Sequence, residues 1–427
     1  MRRIAPNLHH AQVHGSARAM VRPAVRREPP ARDHLAMRER LLLRKLLGDV
    51  APAGAKGAPV MSATKRAEMA QRGFAYHDFS DPLKRLSACL RRGIPTAPVE
   101  PVHDYARSGA LVVEAYRDYD SAAMFEALAR ELPASVPLFV VSSHDKHVRD
   151  AMVMFEVNAR ARGGDTYFVT LWSNGNPQGE PEWMRDHFGL WVRSEQGKAK
   201  VVTAQYYNGN TVTVPFCNMF RAGRHHEIPE TIEFGNSARI GKQIFLVDSV
   251  RLGGSMPEDY VATGAHHVHV LPHLTNAKGE KVGIGHADER IFPMSDQAAL
   301  TDSAEYAEYL RACGLEVDML PSLMESKVPS CTYANALGIV TDTEKVAFVP
   351  QFASVGVDPA IDARARDVYA KHGYRVVPYD SGKTAVGFNG GIHCQTVVLP
   401  SFLDRLDQPN GWALPRFTKV TVPPPQS

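Results

Sequence analysis

Between about residue 70 and residue 400, short apolar runs alternate with longer amphipathic runs, and this alternation restricts the fold more than any other feature of the sequence. Apolar runs of strand length occupy residues 111–116 and 138–142, which predicts two buried strands. Between them, apolar side chains recur every four residues over 121–132, as they do on one face of a helix. A chain that mixes both patterns throughout is typical of the α/β class.

Further elements follow the same two patterns. Strands are predicted at residues 167–171, 201–205, 244–247, 268–271, 346–349, 376–378 and 397–399. Helices are predicted over residues 297–313 and 358–372, and Gly373 is suited to end the second, because glycine is favoured just past a helix C-terminus. No sequence repeat of fixed period is visible, which leaves a purely structural repeat open.

Charge divides the chain into regions. Residues 1–66 contain 14 Lys or Arg and 4 Asp or Glu, a net charge of +10, whereas the whole chain carries +3, so the remainder carries −7. We expect residues 1–70 to be a basic, poorly ordered extension, residues 71–415 to be a single α/β domain, and residues 416–427 to be a loose tail. The extension, rather than the acidic body, is the part suited to nucleic acid or anionic lipid.

Cysteine usage and hydropathy exclude several classes of protein. The five cysteines are scattered without Cys-x-x-Cys spacing, which argues against a disulfide framework or a zinc site and favours a reducing compartment. No apolar run approaches the roughly 20 residues that cross a bilayer, and the N-terminus lacks the apolar region of a signal peptide. We therefore expect a cytoplasmic protein without a membrane partner, and the sequence leaves homo-oligomerisation open.

The strongest candidate for chemistry is Cys394. It follows two glycines, an isoleucine and a histidine, immediately before a predicted strand. Glycines allow a backbone to approach a ligand closely, and a cysteine thiolate is a strong nucleophile when its environment favours ionisation. A buried structural cysteine is the competing interpretation, but the surrounding Gly-Gly-x-His-Cys favours a nucleophile.

Two further segments offer partners for a cationic substrate. His286 and Asp288 are two residues apart, so in an extended segment both side chains would point to the same side. A histidine beside a carboxylate can exchange protons near neutral pH. Asp186 follows Trp183 by three residues, and a carboxylate matches the two N–H groups of a planar cation while an indole offers its face.

Together these segments resemble the guanidine-modifying enzymes of the pentein superfamily, and within it the agmatine deiminase and bacterial-type peptidylarginine deiminase branch. The resemblance covers about residues 75–405. The matching segments, in the order of the family, are Trp183-Met184-Arg185-Asp186, Gly253-Gly254-Ser255, Gly285-His286-Ala287-Asp288-Glu289, Tyr333-Ala334-Asn335, Val349-Pro350-Gln351-Phe352 and Gly390-Gly391-Ile392-His393-Cys394. One departure is Leu252, where family members commonly carry glutamate before the Gly-Gly-Ser segment.

The resemblance implies a fold and a reaction. The implied fold is a five-bladed α/β propeller of pseudo-fivefold ββαβ units. The implied enzyme is a deiminase, a hydrolase that converts a guanidine, such as agmatine or free or peptidyl arginine, into a ureido product and ammonia. It requires no metal and no organic cofactor.

The resemblance also implies roles for individual residues. Cys394 would be the nucleophile and His286 the acid and base, while Asp186 and Asp288 would clamp the guanidinium group. The other substrate-binding residues that it implies are Trp183, Gly391 and Asn335.

Alternatives stay open at this point. The same scaffold supports amidino transfer to an amine, or guanidine binding without turnover. Histidines at positions 266, 267, 269 and 273 could suggest a metal site. Their alternation with valines instead indicates one polar face of a strand.

Overall fold

The structure is a computed structural model that describes residues 61–114, 122–142, 164–170, 185, 188–204, 222–228, 233–248, 255–401 and 418–421. All of these residues belong to one compact unit that spans residues 56–427. Within the described ranges, no helix is both long enough and apolar enough to span a membrane.

Nineteen strands are described. In chain order, β1 to β10 are Ala75–Asp78, Val99–Pro101, Ser108–Glu114, Leu138–Ser142, Asp165–Thr170, Leu190–Ser194, Ala199–Ala204, Gly223–Ile228, Ala238–Ile240 and Gln243–Asp248. Strands β11 to β19 are His267–Pro272, Ile291–Pro293, Ala298–Thr301, Glu316–Met319, Leu337–Val340, Lys345–Gln351, Tyr374–Asp380, Thr396–Pro400 and Thr418–Thr421.

The helices lie between strands or just before them. In chain order, α1 to α7 are Ala63–Gln71, Pro82–Arg92, Ala122–Glu131, Ala304–Ala312, Pro359–Lys371, Gly382–Phe388 and Ile392–Gln395. Three short 3-10 helices are Pro257–Thr263, Ala287–Glu289 and Ala353–Val355.

Five sheets repeat one pattern in the described part of the chain. Each contains an antiparallel pair followed by a parallel pair: β6-β7-β8, β9-β10-β11, β12-β13-β14, β15-β16-β17 and β18-β3-β4. A helix connects the parallel strands wherever that connection is described, as α4 does between β13 and β14. Parallel neighbours need such a crossover, which explains the alternation seen in the sequence.

The predicted helix over residues 297–313 is wrong in its first part. Residues Ala298–Thr301 form β13, parallel to Glu316–Met319, and the helix begins only at Ala304. The side chain of Ser303 accepts a hydrogen bond from the backbone N–H of Tyr306, so the helix has an N-cap that ends the strand segment. The local apolar pattern did not distinguish a short buried strand from a helical turn.

The hydrophobic core lies between the sheets and their helices. Helix α3 buries Leu128 against Leu111 and Leu138 from adjacent parallel strands, and all three are fully buried. Truncating a leucine in such a position costs about 2–5 kcal/mol. Helix α1 begins upstream of the predicted boundary at residue 70 and buries Met69 in another cluster. The predicted mixed α/β class is confirmed.

Candidate active site

Five polar residues, one of them a buried cysteine, come from five different units, and each precedes the first strand of its unit. Arg185 precedes β6, Glu233 precedes β9, Asp288 precedes β12, Asn335 precedes β15 and Cys394 precedes β18. Hydrogen bonds connect these segments to one another, as described below. The repeated sheet pattern therefore delivers one functional side chain per unit to the same region.

Cys394 lies in the one-turn helix α7 and is only 2% exposed. Its sulfur accepts a hydrogen bond from the side-chain amide of Asn335, at 3.0 Å. The Cys394 thiol also donates to Oδ2 of Asp288, at 3.5 Å. The short helix is fixed because the backbone N–H of Ile392 donates to the hydroxyl of Tyr379, at 3.1 Å. The sulfur is thus held between an amide donor and a carboxylate acceptor.

Asn335 and Gly391 fit closely together. Oδ1 of Asn335 accepts from the backbone N–H of His393 at 3.2 Å, while its Nδ2 donates to the Cys394 sulfur and to the carbonyl oxygen of Asp288. A side chain at Gly391 would lie 2.6 Å from Oδ1 of Asn335. Glycine is needed here because the amide approaches the backbone, which is a structural reason for the Gly-Gly segment.

His286 and Asp288 diverge instead of pointing to the same side. Residues Ala287–Glu289 form a 3-10 turn, so the extended geometry expected from the sequence is wrong. Nε2 of His286 lies 2.7 Å from Oε2 of Glu233, and both side chains are buried. Asp288 turns towards His393 and Cys394 instead. The tight turn keeps the two groups in one segment while it gives each a different partner.

The two oxygens of the Asp288 carboxylate differ in their contacts. Oδ2 lies 2.9 Å from Nδ1 of His393 and 3.5 Å from the sulfur of Cys394. Oδ1 is buried and has no hydrogen-bond partner among the described residues. A buried polar atom without a partner carries a desolvation cost, which a ligand that donates a hydrogen bond to it would offset.

Glu233 is a site residue that the sequence reasoning missed. The sequence comparison placed a missing family glutamate at Leu252, and residues 249–254 lie outside the described residues. The carboxylate that contacts His286 comes from Glu233. No local pattern marks Glu233 in the sequence; the fold brings it to His286 because Gly235 and Asn236, just after it, accept hydrogen bonds from the backbone of Asp288 and Ala287.

Glu289 holds the loop that carries His286. Its carboxylate accepts from the backbone N–H groups of Ile284, Gly285 and His286, at 3.2–3.4 Å. Burial raises the pKa of Glu289 to about 7, more than the adjacent Arg290 guanidinium lowers it. Gly285 has a φ of 83°, and a side chain there would lie 2.7 Å from the ring of a neighbouring histidine. Glycine thus permits the loop shape that glutamate fixes.

A series of charged groups leads from Asp288, which contacts the cysteine, to Arg185. The sequence did not predict this series. Both guanidinium Nη atoms of Arg185 donate to the carboxylate of Asp104, at 3.2 and 2.5 Å. Oδ2 of Asp104 lies 3.5 Å from Nε2 of His393, whose Nδ1 faces Asp288. Although burial opposes ionisation, Arg185 and His393 hold the pKa of Asp104 well below its usual range.

Two predicted site residues, Trp183 and Asp186, lie outside the described residues. Arg185, which lies between them, is described and is 5% exposed. Its guanidinium binds Asp104, whose carboxylate also faces His393.

The histidine-rich strand does not form a single polar face. His269 is 1% exposed and stacks on Phe245 with ring centroids 4.4 Å apart, while His267 is only half-buried. Burial lowers the pKa of His269 to about 3, so this ring is neutral. Across the residues that the structure describes, no group of three or more His, Cys, Asp or Glu side chains is arranged to hold a metal ion.

Comparison with known proteins finds matches among solved structures. No protein-family model and no curated protein matches the chain. An agmatine deiminase variant from C. jejuni with substrate bound aligns with a TM-score of 0.52 and 11% identity, over 70% of this chain and 96% of that one. A second structure of C. jejuni agmatine deiminase aligns with a TM-score of 0.50 and 13% identity, over 70% and 95%. A structure named as a peptidyl-arginine deiminase aligns with a TM-score of 0.51 and 14% identity, over 71% and 98%.

The chain has the fold of these deiminases. The pentein resemblance drawn from the short segments is thereby confirmed as a shared fold. Identities of 11–14% establish the fold, and the reaction has to be inferred from the site residues.

Proposed function

We propose that this protein is a cysteine-dependent guanidine deiminase. The observation that carries the proposal is the arrangement of Asp288: one of its buried oxygens contacts the sulfur of Cys394, while the other has no hydrogen-bond partner among the described residues. A guanidinium N–H group would satisfy the second oxygen, because a carboxylate and a planar cation form charge-assisted hydrogen bonds. The central carbon of that cation would then lie next to the sulfur.

The reaction proceeds in two halves. The Cys394 thiolate attacks the guanidinium carbon and forms a carbon–sulfur bond, and His286 donates a proton to the leaving nitrogen so that ammonia departs. The product of this half is an S-alkyl thiouronium on the cysteine. Water, deprotonated by His286, then attacks the same carbon, the carbon–sulfur bond breaks, and a ureido group is released.

Each of the supporting residues has a physical task in this scheme. Asn335 donates to the sulfur, which favours a developing negative charge there. Glu233 contacts His286 and favours the protonated imidazole that serves as the acid. Asp186, as a second clamp on the guanidinium, and Trp183, beside it, remain part of the proposal. The substrate is a cation that carries a guanidine group. Agmatine is the first candidate, and free or peptidyl arginine is the next.

We also propose that the five sheets surround the site as a propeller. Its support is the placement of Arg185, Glu233, Asp288, Asn335 and Cys394, each ahead of the first strand of a unit with the same strand pattern. A ring of equivalent units brings equivalent positions to a common centre.

The experiment that tests the function measures ammonia and ureido product from agmatine, arginine and an arginine-containing peptide. Cys394→Ser should abolish turnover and retain binding of agmatine, since a hydroxyl is a far weaker nucleophile. The matched control is Cys89→Ser, which changes another buried cysteine on helix α2 and should leave turnover intact.

Two results with an active protein would refute the assignment, and a third would follow from an inactive one. One is a Cys394→Ser variant that stays within about tenfold of the wild-type rate, a barrier change of only about 1.4 kcal/mol. The other is transfer of the amidino group to glycine without release of ammonia, which would make the protein an amidinotransferase. Binding of agmatine with no turnover by the wild-type chain would indicate a non-catalytic guanidine-binding protein.

A further inference from the structure

His393 is a buried titratable group next to the nucleophile that the proposed reaction does not use. Its side chain is 9% exposed and lies between two carboxylates. Nδ1 is 2.9 Å from Oδ2 of Asp288, and Nε2 is 3.5 Å from Oδ2 of Asp104. Both ring nitrogens therefore face acceptors, which suits an imidazolium with two N–H donors. A ring engaged on both sides is not free to exchange a proton with substrate.

A second pair of charged groups, Arg185 and Asp104, stabilises this imidazolium on the side of its Nε2 atom. Arg185 binds Asp104 with both of its terminal nitrogens, and the guanidinium is buried. This fork fixes the orientation of the Asp104 carboxylate, because bidentate pairs are the most geometrically specific of charged contacts. Asp104 in turn presents Oδ2 to His393. The four groups form a continuous line in which positive and negative charges alternate: Arg185, Asp104, His393 and Asp288.

The end of this line is the carboxylate that should bind substrate. A carboxylate can rotate about its last side-chain bond, and rotation would exchange Oδ1 and Oδ2. The contact from His393 holds Oδ2 of Asp288 near the Cys394 sulfur and leaves Oδ1 without a partner among the described residues. A charge-assisted hydrogen bond is strong enough to keep Oδ2, and not Oδ1, beside His393 and the sulfur.

We propose that His393 is a positioning residue that, supported by the Asp104–Arg185 pair, orients the Asp288 carboxylate for the guanidinium group. This inference rests on the proposed function, and it adds a residue outside the nucleophile, the acid and base, and the clamp. His393 acts through Asp288 and does not itself touch the reacting atoms.

Protonation of His393 is required for both contacts at once. The described charged groups that face it are Asp104, Asp288 and Arg185, with Cys394 adjacent in the chain. Burial and Arg185 oppose its charge, but the two carboxylates outweigh them and raise the pKa of His393. Above that pKa one nitrogen loses its proton, and one of the two contacts is lost. Substrate binding should therefore weaken on the alkaline side of the folded-state pKa.

The first test compares three variants by steady-state kinetics with agmatine. His393→Leu removes the donor to Asp288 and should raise KM by about tenfold to a hundredfold, the usual effect of losing a charged hydrogen bond. His393→Asn places an amide donor near the position of Nδ1 and should restore most of that loss. His372→Gln is the matched control, because His372 contacts Asp318 at 2.9 Å on the surface and should change nothing.

The second test does not depend on turnover. Histidine rings labelled with ¹³C at Cε1 are titrated by NMR, and the His393 signal is identified by its absence in His393→Asn. Its pKa should lie above the ordinary histidine value in the wild type and should fall in Asp104→Asn, because one of the two supporting carboxylates is lost. The alkaline limb of kcat/KM should move to lower pH in the same variant.

Each outcome decides a separate question. The first case is a wild type that turns over no guanidine, with a His393 pKa that is above the ordinary histidine value and falls in Asp104→Asn. The proposed function is then wrong, but the alternating series of charged groups from Arg185 to Asp288 is supported. If His393 titrates at or below the ordinary value, or does not respond to Asp104→Asn, the inference is overturned whatever the activity. Equal KM values for His393→Leu and His393→Asn would also overturn it.

Discussion

Glu289 should make the stability of this protein fall as the pH rises through neutrality. The carboxylate is 1% exposed, and burial raises its pKa from the ordinary 4.5 to about 7. A carboxyl whose pKa is raised in the folded state contributes stability that is complete below its unfolded pKa. That stability is lost as the pH rises through the folded pKa.

The magnitude follows from the two pKa values. A change from 4.5 to about 7 corresponds to about 3 kcal/mol of preference for the protonated form in the folded state. Between pH 5 and pH 8, the part of the unfolding free energy that depends on Glu289 should fall by about 2–3 kcal/mol. The three backbone N–H groups that face the carboxylate act in the opposite direction but do not overcome burial.

The assay is urea unfolding followed by tryptophan fluorescence at pH 5 and pH 8, for the wild type and for Glu289→Gln. Glutamine retains an oxygen for the backbone N–H groups but cannot ionise. The free energy of the wild type relative to the variant should therefore decrease on going from pH 5 to pH 8. Glu308→Gln is the control, because hydrogen bonds from Lys65 and Arg72 lower the pKa of Glu308, so its contribution is lost only below the ordinary carboxyl pKa and should barely change between pH 5 and pH 8.

A single result refutes this reasoning. If the wild type loses no stability relative to Glu289→Gln between pH 5 and pH 8, the backbone donors offset the effect of burial on the carboxyl. Its pKa would then lie at or below the ordinary value.

Three further variants test the site. Glu233→Gln should lower kcat by about tenfold to a hundredfold with little effect on binding, because His286 loses the carboxylate that supports its charge. Steady-state measurement of kcat and KM with agmatine tests this. Gly285→Ala should destabilise the 283–286 loop, since its φ is positive and the added methyl would meet a histidine ring; hydrogen exchange of the loop measures this. Asn335→Ala should slow modification of Cys394 by iodoacetamide at fixed pH, because the thiolate loses an amide donor; an unchanged rate would show that the amide does not stabilise the sulfur anion.

The sequence was informative where structure depends on nearby residues. The apolar runs at 138–142 and 346–349 fall in observed strands, and the helix predicted over 358–372 is observed at Pro359–Lys371. A side-chain contact from Asp358 to the helix N-terminus shows why such a boundary is readable. Where two patterns overlap, as at Ala298–Thr301, the pairing with a distant strand decided the outcome.

The candidate site divides in the same way. Cys394 was identifiable from the glycines and the histidine beside it, and the 286–288 segment from its own composition. Glu233 was not identifiable as the partner of His286, because the two are 53 residues apart and meet only when their units are assembled. No local pattern could show that Asp288, in its 3-10 turn, would face away from Glu233.

What the sequence alone determined was the type of the strongly patterned elements, such as β4 and α5, and the presence of a cysteine in a setting suited to nucleophilic chemistry. Tertiary structure decided the electrostatics of that cysteine. Arg185 lies 81 residues from Asp104, and His393 lies 105 residues from Asp288, so their contacts depend on strand pairing across the whole chain. The physical reason is that propensity acts over a few neighbouring residues, whereas the charge of a buried group is set by whichever groups the fold places within a few ångströms of it.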